Sequence, residues 1–181
     1  MKSTLIIGGA RSGKSTYAQE MARESGKAVL FVATAEAGDE DMKKRIETHR
    51  ESRPSSWVTL EATNHIGSQI TGKIGNAQVV IIDCITLLVN NIFMRYNDNT
   101  DADLAEKEVM AEIEELTDCI DRSNAHFIIV TNELGLGVVP ADRVSRLYRD
   151  ILGRANQRLA QYADEVYLLV AGIPVAIKKA C

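Results

Sequence analysis

Apolar residues in this chain alternate between short unbroken runs and longer stretches where they recur every three or four positions. The runs predict buried strands over 4–8 (TLIIG), 28–34 (AVLFVAT), 77–83 (AQVVIID), 126–132 (HFIIVTN) and 165–171 (EVYLLVA). SWVTLEA (56–62) reads as a short third strand and IPVAIKK as a last edge strand. Between the runs the period lengthens to that of a helix. Over 101–123, Val109, Ile113, Leu116 and Ile120 share one face while Glu106, Glu108, Glu112 and Glu115 mostly take the other sides. Over 141–163, Val144, Leu147, Tyr148, Ile151, Leu152, Ala155 and Leu159 form a wide apolar stripe. RYNDNTDAD (95–103) and 132–140 read as loops. Strand and helix in alternation predict an α/β fold, a mainly parallel sheet flanked by helices. No repeat or long linker divides the chain, so 1–181 reads as one domain.

Composition narrows the function. The 181 residues are 45% hydrophobic, enough for a real core, and the net charge of −4 leaves no global field to hold nucleic acid. Three Phe, one Trp and five Tyr are too few for a base-stacking platform. Cys84, Cys119 and Cys181 form no CxxC pair and read as reduced thiols. The N-terminus resembles no signal peptide and no window suits a membrane span, which predicts a cytoplasmic protein.

GGARSGKS, covering Gly8, Gly9, Ala10, Arg11, Ser12, Gly13, Lys14 and Ser15, fits the phosphate-binding pattern G-x-x-x-x-G-K-[ST] between a buried strand and a helix. Its backbone N–H groups would close around phosphate oxygens, Lys14 would reach the β- and γ-phosphates, and the Ser15 hydroxyl would ligate Mg²⁺. A second carboxylate for that metal is Asp83, at the end of VVIID, although a strand-end aspartate also serves as a helix N-cap. No N-K-x-D stretch marks guanine specificity. TNE (131–133) follows a buried strand and would put polar groups beside the nucleotide.

DEDMKKRIETHRESR (39–53) reads as a helix with acids first and bases later, stopped by Pro54. Met42, Ile46 and His49 fall on one face, with Arg45 and Arg53 flanking that line. From spacing alone, a half-buried histidine packed on the core is the preferred reading. The alternative is chemical: two cations keep an imidazole neutral and nucleophilic, and would hold a triphosphate against it.

GGARSGKS, RIETHRESRP followed by Trp57, IIDCIT, VTNELGLGVVP and GRANQRLAQYADEV together resemble the bifunctional cobinamide kinase/cobinamide-phosphate guanylyltransferases of cobalamin biosynthesis. The resemblance runs over nearly the whole chain in unchanged order. It implies a RecA-like P-loop NTPase fold assembled as a homotrimer, with GTP or ATP as co-substrate. Adenosylcobinamide would be phosphorylated on its aminopropanol hydroxyl. GMP would then pass from GTP, through a guanylylated histidine, to adenosylcobinamide phosphate, giving adenosylcobinamide-GDP. The histidine falls on His49, and Thr48 stands where some relatives have a second histidine. The family's nucleotide contacts fall on Gly8 to Ser15, on Ala33, Thr34 and Ala35, on Arg50, Glu51, Ser52 and Arg53, on Glu61 and on Asp83, where some relatives carry Glu. The rival readings are a single-activity small-molecule kinase and a RecA-like nucleotide-switched ATPase.

The remaining histidines read as structural, His126 opening a strand and His65 beginning a helix. Arg143, Arg146 and Arg154 share a helix side with Asp150 and predict a solvated face, an Arg146–Asp150 pair adding about 0.3–0.5 kcal/mol.

Overall fold

A computed structural model describes residues 3–36, 47, 50, 53–96 and 102–179. Seven strands form one sheet in the order β3-β2-β4-β5-β1-β6-β7. They are β1 (Ser3–Gly8), β2 (Val29–Ala33), β3 (Val58–Glu61), β4 (Val79–Asp83), β5 (His126–Asn132), β6 (Glu165–Val170) and β7 (Ile173–Lys178). All neighbours run parallel except β7, which folds back on β6. Each predicted strand is present within two residues at either end.

The described helices are α1 (Lys14–Glu24), α2 (Ile66–Lys73), α3 (Ile85–Phe93), α4 (Ala102–Arg122) and α5 (Arg143–Tyr162). α1 covers one face of the sheet, where Ala18 and Ala22 meet Ile6, Phe31, Ile81, Ile128 and Val130. The other four cover the opposite face, over Leu5, Leu30, Ile82, Phe127 and Ile129. Strands buried on both faces explain why β1, β2, β4 and β5 read as unbroken apolar runs rather than alternations. Burying each of these Leu, Ile or Phe side chains contributes about 1.5–3 kcal/mol.

Three details depart from the sequence pattern. Glu112 does not face water but is buried at 5% exposure, while Val144, the first residue of the expected α5 stripe, is 49% exposed. The expected Arg146–Asp150 pair gives way to Arg149–Asp150 and Arg154–Glu106, and Arg146 donates instead to the Pro140 and Ala141 carbonyls. The reason is local: Asp142 caps α5 by accepting from the Ser145 N–H at 2.7 Å, which brings the incoming chain within reach of Arg146.

Candidate functional site

The C-terminal ends of the parallel strands form one edge, and the glycine-rich loop lies on it. β1 ends at Gly8 and α1 begins at Lys14, with Arg11 at φ 56° and Gly13 at φ 93° making the turn between. Outside donors fix the loop's carbonyls. Glu133 N–H donates to Gly8 O at 3.0 Å, and Gly172 N–H, from the β6–β7 turn, donates to Ser12 O at 2.9 Å. The first-turn N–H groups of α1 have no intrahelical acceptor and face the edge with the helix's positive end. Lys14 is buried and its ammonium donates to Gly9 O at 2.6 Å. Burial lowers its pKa, against the opposing pull of Cys84 and Asp83 nearby. The Ser12 hydroxyl is buried with no hydrogen-bond partner among the described residues.

Two strands away, Asp83 ends β4, level with Ala33 of β2. Cys84, one residue further on, holds the N-cap position of α3. Thr34 locks this corner, donating from Oγ1 to Cys84 O at 2.7 Å and accepting from Cys84 N–H at 2.8 Å. Asn91 of α3 donates to Thr34 O at 2.8 Å, so Ala33, Thr34 and Ala35 are held from behind. Burial pushes the Cys84 thiol up to about 12, which removes it as a nucleophile at neutral pH.

Arg53 reaches the same edge from the other side. Its guanidinium carbon lies 3.8 Å from the centroid of the Phe31 ring, and Trp57 stacks on that ring at 6.4 Å. Burial lowers the Arg53 pKa, while the nearby carboxylates of Asp83 and Glu61 act to raise it and Arg50 to lower it. Its Nε is buried without a partner among the described residues. Glu61 ends β3, level with Ala33, and is exposed. Glu47 and Arg50 are helical and exposed. His49, Glu51 and Ser52 lie outside the described residues, as do Arg45 and Met42.

β5 runs between the strand of the loop and the strand of Asp83, and a buried polar network fixes its end. Thr131 Oγ1 donates to Asn156 Oδ1 at 2.8 Å, and Asn156 Nδ2 donates to Asn132 O at 2.9 Å. Asn132 N–H donates to Thr86 Oγ1 at 2.7 Å, and Tyr148 O–H donates to Thr86 O at 2.8 Å. From the sequence Tyr148 was expected only as part of the apolar stripe, and Asn156 and Thr86 were not expected here; the available signal was a polar residue, Asn156, beside that stripe in α5. Beside this network a groove of about 720 Å³ opens between the 133–139 loop and α5, lined by Ile7, Glu133, Leu134, Val139, Arg149 and Gln157 among others.

Away from this edge, His65, Glu112 and Glu115 come together. The Glu112 carboxylate accepts from the backbone N–H groups of His65 and Ile66, both at 2.8 Å. Glu115 accepts from Ser68 N–H and Oγ and pairs with His65 Nδ1 at 3.1 Å. These acids cap the N-terminus of α2, and His65 stands at the start of that helix, where the sequence placed it.

The model of the family described as cobinamide kinase / cobinamide phosphate guanyltransferase matches residues 4–177, taking in the loop, Asp83, the β5 end and α5. The chain belongs to that family. Membership makes it a bifunctional transferase of cobalamin biosynthesis, with kinase and guanylyltransferase activities that use a nucleotide. The bifunctional adenosylcobalamin biosynthesis protein CobU of Escherichia coli is 42% identical over 179 residues, covering 96% of this chain and 98% of the relative. Its counterpart in Salmonella typhimurium is 41% identical over the same shares. CobP of Pseudomonas aeruginosa is 39% identical over 174 residues, 96% of each chain. The cobinamide kinase/guanyltransferase fold seen here is the expected P-loop α/β sheet, and no described helix is long and apolar enough to cross a membrane.

Proposed function

We propose that both family reactions run at the strand edge just described, on nucleotide held by Gly8–Ser15. The observation that carries this reading is the convergence of Lys14 and Arg53 on Asp83 at one edge, each of the two cations within electrostatic reach of that carboxylate. Lys14 spends its charge on a backbone carbonyl, an interaction that a phosphate oxygen replaces at a gain. The Ser12 hydroxyl, without a partner among the described residues, lies in the same loop.

In the kinase step, the aminopropanol hydroxyl oxygen of adenosylcobinamide attacks the γ-phosphorus of GTP or ATP. The bond to the β-phosphate oxygen breaks and the nucleoside diphosphate leaves. Such a transfer asks the protein chiefly for positioning and charge, which the loop N–H groups and Lys14 supply. Ser15 and Asp83 offer hard oxygen donors, which fit Mg²⁺; the ion would neutralise phosphate charge. In the second step His49 attacks the α-phosphorus of GTP, and pyrophosphate leaves against Arg50 and Arg53. The phosphate of adenosylcobinamide phosphate then displaces the imidazole, giving adenosylcobinamide-GDP and free His49. Ala33, Thr34, Ala35, Glu51, Ser52 and Glu61 complete the nucleotide contacts. The enzyme acts in the cytoplasm as a homotrimer.

The test is an intact-mass measurement after incubation with GTP and Mg²⁺. We expect one added GMP on the wild type, none on His49→Ala, and discharge by cobinamide phosphate. Binding of GTP without any adduct would leave a kinase alone.

A further inference from the structure

We propose that Asn132 is a further catalytic residue, its side-chain amide donating to the terminal phosphate of the bound triphosphate during the kinase step; this rests on the function proposed above. Asn132 is level with Gly8 of β1, whereas Asp83 of β4 is level with Val130, two residues earlier on the same strand. The end of β5 therefore projects between the phosphate loop and the carboxylate. A triphosphate seated on the N-terminus of α1 and extended toward Asp83 crosses β5, and its terminal group comes over Asn132.

Strand alternation settles which way the side chain points. Ile128 and Val130 pack under α1, while Phe127 and Ile129 face the other helices and Thr131 bonds Asn156 of α5. Asn132, one residue on, faces the α1 side, where the loop lies. Its backbone is pinned on both sides, with N–H on Thr86 Oγ1 and C=O on Asn156 Nδ2, and the next N–H is bonded to Gly8 O. Two buried side chains and a backbone bond to the phosphate loop thus hold this segment, yet among the described residues the Asn132 amide makes no hydrogen bond. A neutral amide offers two donors to a phosphate oxygen, on a rigid support.

The two reactions make different demands on this contact. As the γ-phosphorus leaves its bridging oxygen for the substrate hydroxyl, whose proton passes to water, charge shifts on the very oxygens that Asn132 holds. In guanylylation the bonds change at the α-phosphorus, and the γ-phosphate departs unaltered within pyrophosphate. Loss of the donor therefore falls on the kinase step.

Full-length wild type, Asn132→Ala and Asn132→Asp would be compared in cobinamide phosphorylation and, separately, in formation of the GMP adduct. We expect Asn132→Ala to lower the kinase kcat about 100-fold, the cost of one lost transition-state donor, while adduct formation stays within about threefold. Asn132→Asp should be slower still in the kinase step, because a carboxylate repels the phosphate. Kinase activity near wild type in Asn132→Ala, an Asp variant faster than the Ala variant, or equal loss of both reactions with a lowered Tm would each overturn the assignment. A wild type lacking both reactions would overturn the functional reading together with this one, whereas an active wild type beside an unaffected Asn132→Ala overturns this one only.

Discussion

A methyl group has no place at Gly8. A Cβ there would lie 2.6 Å from Leu169 O and 2.9 Å from Ser12 Oγ, and the first of these is a strand carbonyl that cannot move aside. Gly8→Ala should cost about 1–3 kcal/mol as an overpacked site and weaken GTP binding with it; urea denaturation and a GTP titration of the same sample would measure both. This much was legible, since the glycine pattern declares close backbone approach. Arg53 was legible as a cation flanking His49 and, through the family resemblance, as a nucleotide contact. That its guanidinium lies over the Phe31 ring required knowing that β2 and Arg53 meet, and no local spacing carries that.

Elements meet their ends in ways a helical period conceals. Glu112 falls beside the apolar stripe of α4, so its charge suggests solvent. Its carboxylate instead enters the interior to accept two N–H groups from the start of α2, a helix whose N-cap residue, His65, offers no side-chain cap. Glu112→Ala strips both acceptors and should destabilise the fold by about 2–6 kcal/mol, given about 1–3 for each orphaned buried group; thermal or urea unfolding reads this directly. Strands were easier to see than caps, because burial on both faces writes itself as an apolar run, whereas capping across elements depends on contacts 46 and 47 residues apart.

At the scale of the whole molecule, the first strand threads into the middle of the sheet, and His126 records that join. Its Nε2 and Thr4 Oγ1 lie 2.9 Å apart, linking β5 to β1. Burial lowers its pKa, with Lys27 and the N-terminus acting the same way and Glu165 and Asp164 opposing. The unfolded chain therefore takes up this proton first. Stability is fully present above the ordinary histidine value near 6.5 and falls as pH drops from there to the lowered folded value. His126→Gln should remove that component of the acid slope; chemical denaturation midpoints across the window would show whether the slope flattens. His65 has the opposite sign, its pKa raised first by its hydrogen bond to Glu115, so its contribution is present below about 6.5 and fades as pH rises through the raised folded value.

The turn joining β6 to β7 supplies Gly172 N–H to Ser12 O, and Gly172 lies so close that a Cβ on Gly13 would come within 3.1 Å of its Cα. The ribosome makes the phosphate loop well before it makes the brace. A nascent chain lacking residues 165–178 has neither β6 beside β1 nor the donor to Ser12. GTP therefore finds no finished cradle until β6 and the turn after it have been made, and it can stabilise the folded domain but cannot guide its earlier growth.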